Sequence, residues 1–241
     1  MKYLPPEGSL ILDIGIDPAI FSEKIIQLNR KITIGDISEE QLQITREKFT
    51  NSKLASQVEE FSLLDSFCEL TQFEDETFDM AISLFGTLSY TCELKYKMFT
   101  ELVRVVKKGA PIIITVKNKL NYLRQLVLNE QVEKLQEPNK SGILDFITTN
   151  IKQFDEYPEE PLYFAFNSNE LMEMITSNSC EILELSAINL LSPFPNNTLN
   201  KLIENEETWQ TYIDIEKKIA TNRFLLDSGD EILAIARKSI I

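Results

Sequence analysis

Three aspartates stand where they could do chemistry. Asp13 lies near the end of the apolar run Leu10 to Ile14, Asp36 follows Ile32-Thr33-Ile34-Gly35, and Asp65 follows the run Val58 to Leu64. If those runs are parallel strands, their carboxyl ends share one rim, which is where ligands bind in an open α/β sheet. Carboxylates gathered there can hold an amine, a ribose diol and an exocyclic amino group, the polar parts of an adenosine-bearing ligand. The chain has no histidine, which removes His-containing triads, imidazole bases and most zinc or non-haem iron sites. Proton transfer falls to Asp, Glu, Lys, Tyr, Cys or water. Cys68, Cys92 and Cys180 are far apart with no C-x-x-C spacing, so neither a disulfide framework nor a thiolate zinc site is expected, and no metal is.

The elements that must position these residues are legible as an alternation. Ser9 to Gly15 reads as a strand and turn, and Ala19 to Leu28 as a helix. Ile32 to Asp36 reads as the next strand, and Ser38 with Gln41 has the spacing of a capping box at the start of a helix running towards Phe49. Val58 to Leu64, Phe78 to Phe85 and the β-branched Pro111 to Val116 are further strands. A helix over Leu94 to Val106 is expected to stop at Lys107-Lys108-Gly109, with cations at its negative end and glycine as a left-handed cap. Repeated strand-helix units argue for a parallel sheet with helices on both faces.

After Asn118 the rhythm changes. Leu120 to Leu135 reads as helical, and polar, proline-containing stretches at 137–142 and 157–161 follow. Residues 119–161 are therefore expected to be a helical insertion within a single domain spanning 1–241. Phe166 to Ser177 then reads as a helix capped by Asn167 or Ser168, Glu181 to Ala187 as a strand, 197–226 as helical, and Glu231 to Arg237 as a last strand. The insertion and the helices after Leu190 are natural covers for a substrate.

Composition narrows the partners. At 241 residues and 43% hydrophobic, the chain suits one globular domain. Its 24 basic against 38 acidic residues leave a charge of −14, which disfavours nucleic acid. No apolar stretch is long enough to span a membrane and MKYLPPEGSL does not read as a leader, so a cytoplasmic location is expected.

Leu12-Asp13-Ile14-Gly15, Gly35-Asp36-Ile37-Ser38, Leu64-Asp65 with Phe73 to Asp79, and Leu102 to Gly109 fall in the order and spacing of the motifs of class I S-adenosylmethionine-dependent methyltransferases. The chain resembles the small-molecule members of that family. The resemblance implies a Rossmann-like sheet of seven strands in the order 3-2-1-4-5-7-6, the last antiparallel, and S-adenosyl-L-methionine as cofactor. It further implies that Asp13 and Gly15 lie beside the methionine end, that Asp36 accepts from the ribose hydroxyls and Asp65 from the adenine amino group, and that Ile37 and Leu64 flank the ring. Ser83, Leu84 and Phe85 would line the sulfonium side.

The glycine-rich turn departs from the family's Asp-x-Gly-x-Gly-x-Gly: here it is Asp13-Ile14-Gly15-Ile16-Asp17-Pro18-Ala19. Asp17 adds a carboxylate beside the cofactor's own, and two such charges about 4 Å apart repel by roughly 1 to 4 kcal/mol. Asp17-Pro18 is equally a good helix start, and the turn resembles that of the bacterial tRNA adenine-N1 methyltransferases. The implied reaction is a direct SN2 attack by a small-molecule acceptor on the sulfonium methyl, for which the protein supplies alignment and desolvation. Tyr90 is the first candidate for orienting the acceptor, with Glu93, Tyr96, Lys117 and Asn118 near the same strand ends. Because the first strand begins within ten residues, the insertion, a second copy or a partner subunit must exclude water. The alternative is a methyltransferase-like subunit that binds or regulates without catalysis.

Overall fold

A computed structural model describes residues 2–15, 19–50, 54–128, 136, 142–152, 162–191 and 196–240. Seven strands form one sheet: β1 (Leu10–Ile14), β2 (Lys31–Asp36), β3 (Val58–Leu63), β4 (Met80–Ser83), β5 (Pro111–Lys117), β8 (Cys180–Ile188) and β9 (Glu231–Lys238). Their order is β3-β2-β1-β4-β5-β9-β8, the first five mutually parallel and β9 antiparallel to both neighbours. Counting only this sheet, that is the expected 3-2-1-4-5-7-6. The extra numbers come from β6 (Ile151–Lys152) and β7 (Tyr163–Phe164), which pair separately.

The central strands are continuous apolar runs because both of their faces are covered. One face, with Leu12, Ile112, Ile114 and Ile232, packs on Phe99 and Leu102 of α4 (Lys95–Val105) and on Leu171 and Met174 of α7 (Ser168–Ser177). The other, with Ile11, Ile34 and Ile82, packs on Ile25 and Ile26 of α1 (Ile20–Gln27) and on Leu42 and Phe49 of α2 (Glu39–Thr50). Asn167 caps α7 in a capping box with Glu170, which decides between the two caps open in the sequence. At α2 the Ser38 hydroxyl accepts from the Gln41 N–H at 3.2 Å, while the Ser38 N–H donates to Asp36 Oδ1 at 2.8 Å.

One expected helix end is corrected. Helix α4 stops at Val105 and Val106 is already extended. The Lys107 N–H donates to the Phe78 carbonyl at 2.9 Å, and the Lys107 ammonium pairs with Asp79 at 2.7 Å. This strand-like pairing draws the chain off the helix, so Gly109, at φ 76°, shapes the turn into β5 instead of capping α4. Just before it, the Arg104 guanidinium holds the loop after β3, donating to the carbonyls of Leu70 and Phe73, each at 2.9 Å, and pairing with Asp75 and Glu101. Arg104→Ala is expected to destabilise the fold by about 2 to 3 kcal/mol, since charged hydrogen bonds to enclosed carbonyls are lost; urea unfolding measures it.

Two segments rise from the carboxyl rim. One carries α5 (Lys119–Leu128) and α6 (Ile143–Thr149), where Tyr122, Ile143, Phe146 and Ala165 make a small separate core. Residues 129–135, 137–141 and 153–161 of the expected insertion lie outside the described residues. The other, between β8 and β9, carries α8 (Asn196–Ile203) and α9 (Glu206–Ala220), and α9 buries none of its residues. A four-residue helix, α3 (Thr87–Tyr90), follows β4; no periodic signal that short could be read in sequence.

Candidate functional site: the rim of strands β1 to β5

The parallel strand ends are tied together by backbone bonds. The Gly15 N–H donates to the Gly35 carbonyl at 3.0 Å, and the Leu64 N–H to the Asp36 carbonyl at 2.8 Å. Asp13 and Asp36 are both buried on adjacent strands. The Ser22 hydroxyl of α1 donates to Asp13. Burial pushes the Asp13 carboxyl up to about 7; the Ser22 bond opposes that rise and the charge of Asp36 adds to it. Asp13, Gly15, Phe21, Leu84 and Phe85 line a cleft of about 10 Å³, room for about one water. The rings of Phe21 and Phe85 stand 5.9 Å apart beside it.

The glycine of this turn is required by the backbone and by space. Gly15 has φ 76°, and a Cβ there would fall 2.3 Å from Thr87 Oγ1. Phe85 has φ 57°, and Gly86 after it has φ 77°. A bulky residue in that left-handed region carries strain of the kind that collects at functional sites.

The remaining candidates divide. Ile37 is half exposed at the end of β2, and Asp65 is exposed beyond β3. Leu64 is 2% exposed and turned into the core, with its side chain under Gly35. Ser83 is fully buried, and its hydroxyl has no hydrogen-bond partner among the described residues. Tyr90 meets the edge of Tyr163 at 6.0 Å between centroids, and Lys117 Nζ lies 5.9 Å from its ring. Lys117 also pairs with Glu231 at 2.5 Å. Asp17 lies outside the described residues. Sequence reasoning missed Ser22, Phe21 and Thr87. Ser22 did carry a signal: it is the polar member of the buried stripe Ser22, Ile25 and Ile26, and a polar group on such a stripe needs a partner.

Residues 11–109, which contain this rim from β1 to the turn before β5, match a family model described as a methyltransferase domain. That match covers about two fifths of the chain. The fold of the chain is similar to that of a SAM-dependent methyltransferase from Methanosarcina mazei, at 18% identity and TM-score 0.64, over 100% of this chain and 96% of that one. It is also similar to an S-adenosylmethionine-dependent methyltransferase from Mesorhizobium loti, at 13% identity and TM-score 0.58, over 98% and 94%. A third likeness is to a chain of the complex between the Haloferax volcanii Trm112 methyltransferase activator and a methyltransferase, at 14% identity and TM-score 0.59, over 100% and 86%. No curated protein sequence matches the chain.

S-adenosylmethionine is the cofactor that the sequence resemblance implies, and the donor set at the rim fits it. A carboxylate buried in a cleft and held near neutrality by desolvation is a site that a cation completes, and the cofactor's methionine end carries an ammonium.

Proposed function

We propose that the protein is an S-adenosylmethionine-dependent methyltransferase that acts on a small-molecule acceptor, whose nucleophile displaces the methyl directly. The observation that carries the reading is Asp13, a buried carboxylate opening on a cleft at the sheet rim. When bound, S-adenosylmethionine supplies a methyl group activated by a positively charged sulfur. Asp13 holds the ammonium, Asp36 the ribose hydroxyls, Asp65 the adenine amino group, and Ile37 packs on the ring from its half-exposed position. Phe21 and Phe85 close over the cleft and exclude water, which strengthens every polar contact inside. Tyr90 orients the acceptor at the end of β4. With the leaving group already activated, alignment and desolvation are the protein's main contributions.

A second reading draws on the departed turn Gly15-Ile16-Asp17-Pro18-Ala19: a methyltransferase-like subunit that binds or regulates without turning over, its cofactor site impaired. One of the similar structures is a complex that contains a methyltransferase activator, so a partner subunit belongs to the same reading. Calorimetry with S-adenosylhomocysteine separates the two. A measurable heat of binding supports the enzyme, whereas silence up to about millimolar ligand leaves only the subunit. Asp36→Ala is expected to weaken binding by about 1.5 to 3 kcal/mol, the worth of charge-assisted bonds to hydroxyls. Unchanged affinity in a folded variant rejects that role.

A further inference from the structure

Strand alternation gives β4, β5 and β9 two different faces. One is covered by α4 and α7 through Ile112, Ile114 and Ala234. The opposite face, with Ile82, Ile113, Leu233 and Ile235, floors a cavity of about 800 Å³, within the size range of small-molecule sites. Helix α1 forms one wall through Phe21, Ile25 and Leu28. The amino end is crossed by the N-terminal segment: the Tyr3 hydroxyl donates to Glu184 of β8 at 2.9 Å, Arg30 donates to the Pro5 carbonyl at 3.0 and 2.8 Å, and Leu4 lines the cavity between them.

Polarity is confined almost entirely to the other end. At the carboxyl rim stand the Lys117–Glu231 pair at 2.5 Å and the Arg124–Asp230 pair at 2.8 Å, with Asn121 and Asn189 beside them. The remaining charged lining residue, Lys24, reaches over the Phe21 ring at 6.0 Å. From Ile113 to Lys117 the trough follows five residues of β5, four steps or about 13 Å at strand rise. Phe21, Leu84 and Phe85 line both this trough and the Asp13 cleft.

We propose that the trough is the acceptor's site and takes an amphiphile. A linear apolar chain lies along the sheet face, and its uncharged polar end stands at the rim beside Lys117 and Glu231, one phenylalanine wall from the cofactor cleft. The inference rests on the methyl-transfer reading above. A neutral head suits a rim whose charges are already matched. A chain suits the space better than a protein helix: a helix about 10 Å across laid along the strands would run into the N-terminal segment that crosses the amino end.

The test titrates the full chain with 1-hexanol, 1-heptanol, 1-octanol and 1-nonanol by calorimetry, with and without S-adenosylhomocysteine. Affinity is expected to rise about fourfold per methylene, the fold equivalent of about 0.8 kcal/mol for a buried CH₂. Leu233→Trp, which fills the trough, is expected to lower nonanol affinity at least about tenfold while S-adenosylhomocysteine affinity stays within about twofold. If that variant fails to fold, as judged by circular dichroism, Ile113→Thr replaces it, with an expected loss of about threefold to tenfold. Affinity that ignores chain length, or that survives the substitutions, overturns the proposal. So does a dimer, seen by sedimentation and broken by the same substitutions, in a protein that binds no alkanol, because the face then belongs to a second copy. Alkanol binding without S-adenosylhomocysteine binding keeps the trough and removes the methyl-transfer reading; the reverse result removes the trough alone.

Discussion

Affinity for S-adenosylhomocysteine is expected to fall about tenfold for each pH unit below about 7, and to be flat above it. The Asp13 carboxyl is buried, and desolvation pushes it up to about 7. A carboxyl that keeps its proton cannot hold an ammonium as an ion pair, so binding below pH 7 must first expel that proton. One unit costs about 1.4 kcal/mol. Calorimetry in buffers of different ionisation heat should count close to one proton released per ligand at pH 6 and none at pH 8. Asp13→Asn should flatten the profile and weaken binding at pH 8 by roughly tenfold or more, the worth of a charge-assisted hydrogen bond. Affinity unchanged from pH 5.5 to 8 in the natural sequence would show that Asp13 does not face the ligand.

The same group sets a stability profile of definite sign. Its folded value lies above its unfolded value, so the stabilisation is complete below about pH 4. Between about pH 4 and 7 the unfolded chain has released a proton that the folded chain keeps, and stability declines as pH rises. Above about 7 both states are ionised and the contribution is constant. The span corresponds to about 4 kcal/mol as an upper value. Asp13→Asn should therefore be more stable than the natural sequence at pH 8 in the absence of ligand, a gain of stability at the expense of binding. Urea midpoints at pH 5 and pH 8 for the two proteins measure this directly.

Gly15→Ala is expected to cost about 2 to 5 kcal/mol of stability and to abolish measurable cofactor binding. Two causes add. The residue sits at φ 76°, where a side chain costs roughly 1 to 2 kcal/mol. The new Cβ would also lie 2.3 Å from Thr87 Oγ1 and 2.4 Å from Thr87 Cγ2, an overlap that must be relieved at roughly 1 to 3 kcal/mol. Thr87→Ala removes both atoms and leaves Thr87 Cβ at 2.9 Å. A double-mutant cycle in urea should thus recover part of the steric cost and none of the conformational cost. Strict additivity of the two substitutions would show that Gly15 and Thr87 are not packed as described.

Much of the architecture could be read from local pattern. The runs that became β1, β2, β3 and β5 are bounded by turn residues, and the helices between them carry apolar periodicity and caps, all of which act within a few residues. The apolar pattern of Phe78 to Phe85 reads as one strand, but only Met80–Ser83 pairs in the sheet, and Phe85 has already turned left-handed. Asp13 and Asp36 were placed at strand ends by the same reasoning, and parallel pairing brings them together. Leu64 was not legible as a core residue, because an apolar side chain after a strand can face ligand or protein. What Ser22 touches was equally hidden, since the stripe that buries it faces a strand end nine residues away in sequence.

By itself the sequence determined that strands and helices alternate, that their ends carry aspartates, and that imidazole chemistry is excluded; these follow from residue identity and from spacing of two to four positions. Tertiary structure alone decided that Asp13 is desolvated beside Ser22, that α4 yields its last turn to pairing with Phe78, and that one face of β5 and β9 is an apolar trough open at a polar rim. Burial is a sum over neighbours distant in the chain, and no local pattern contains it.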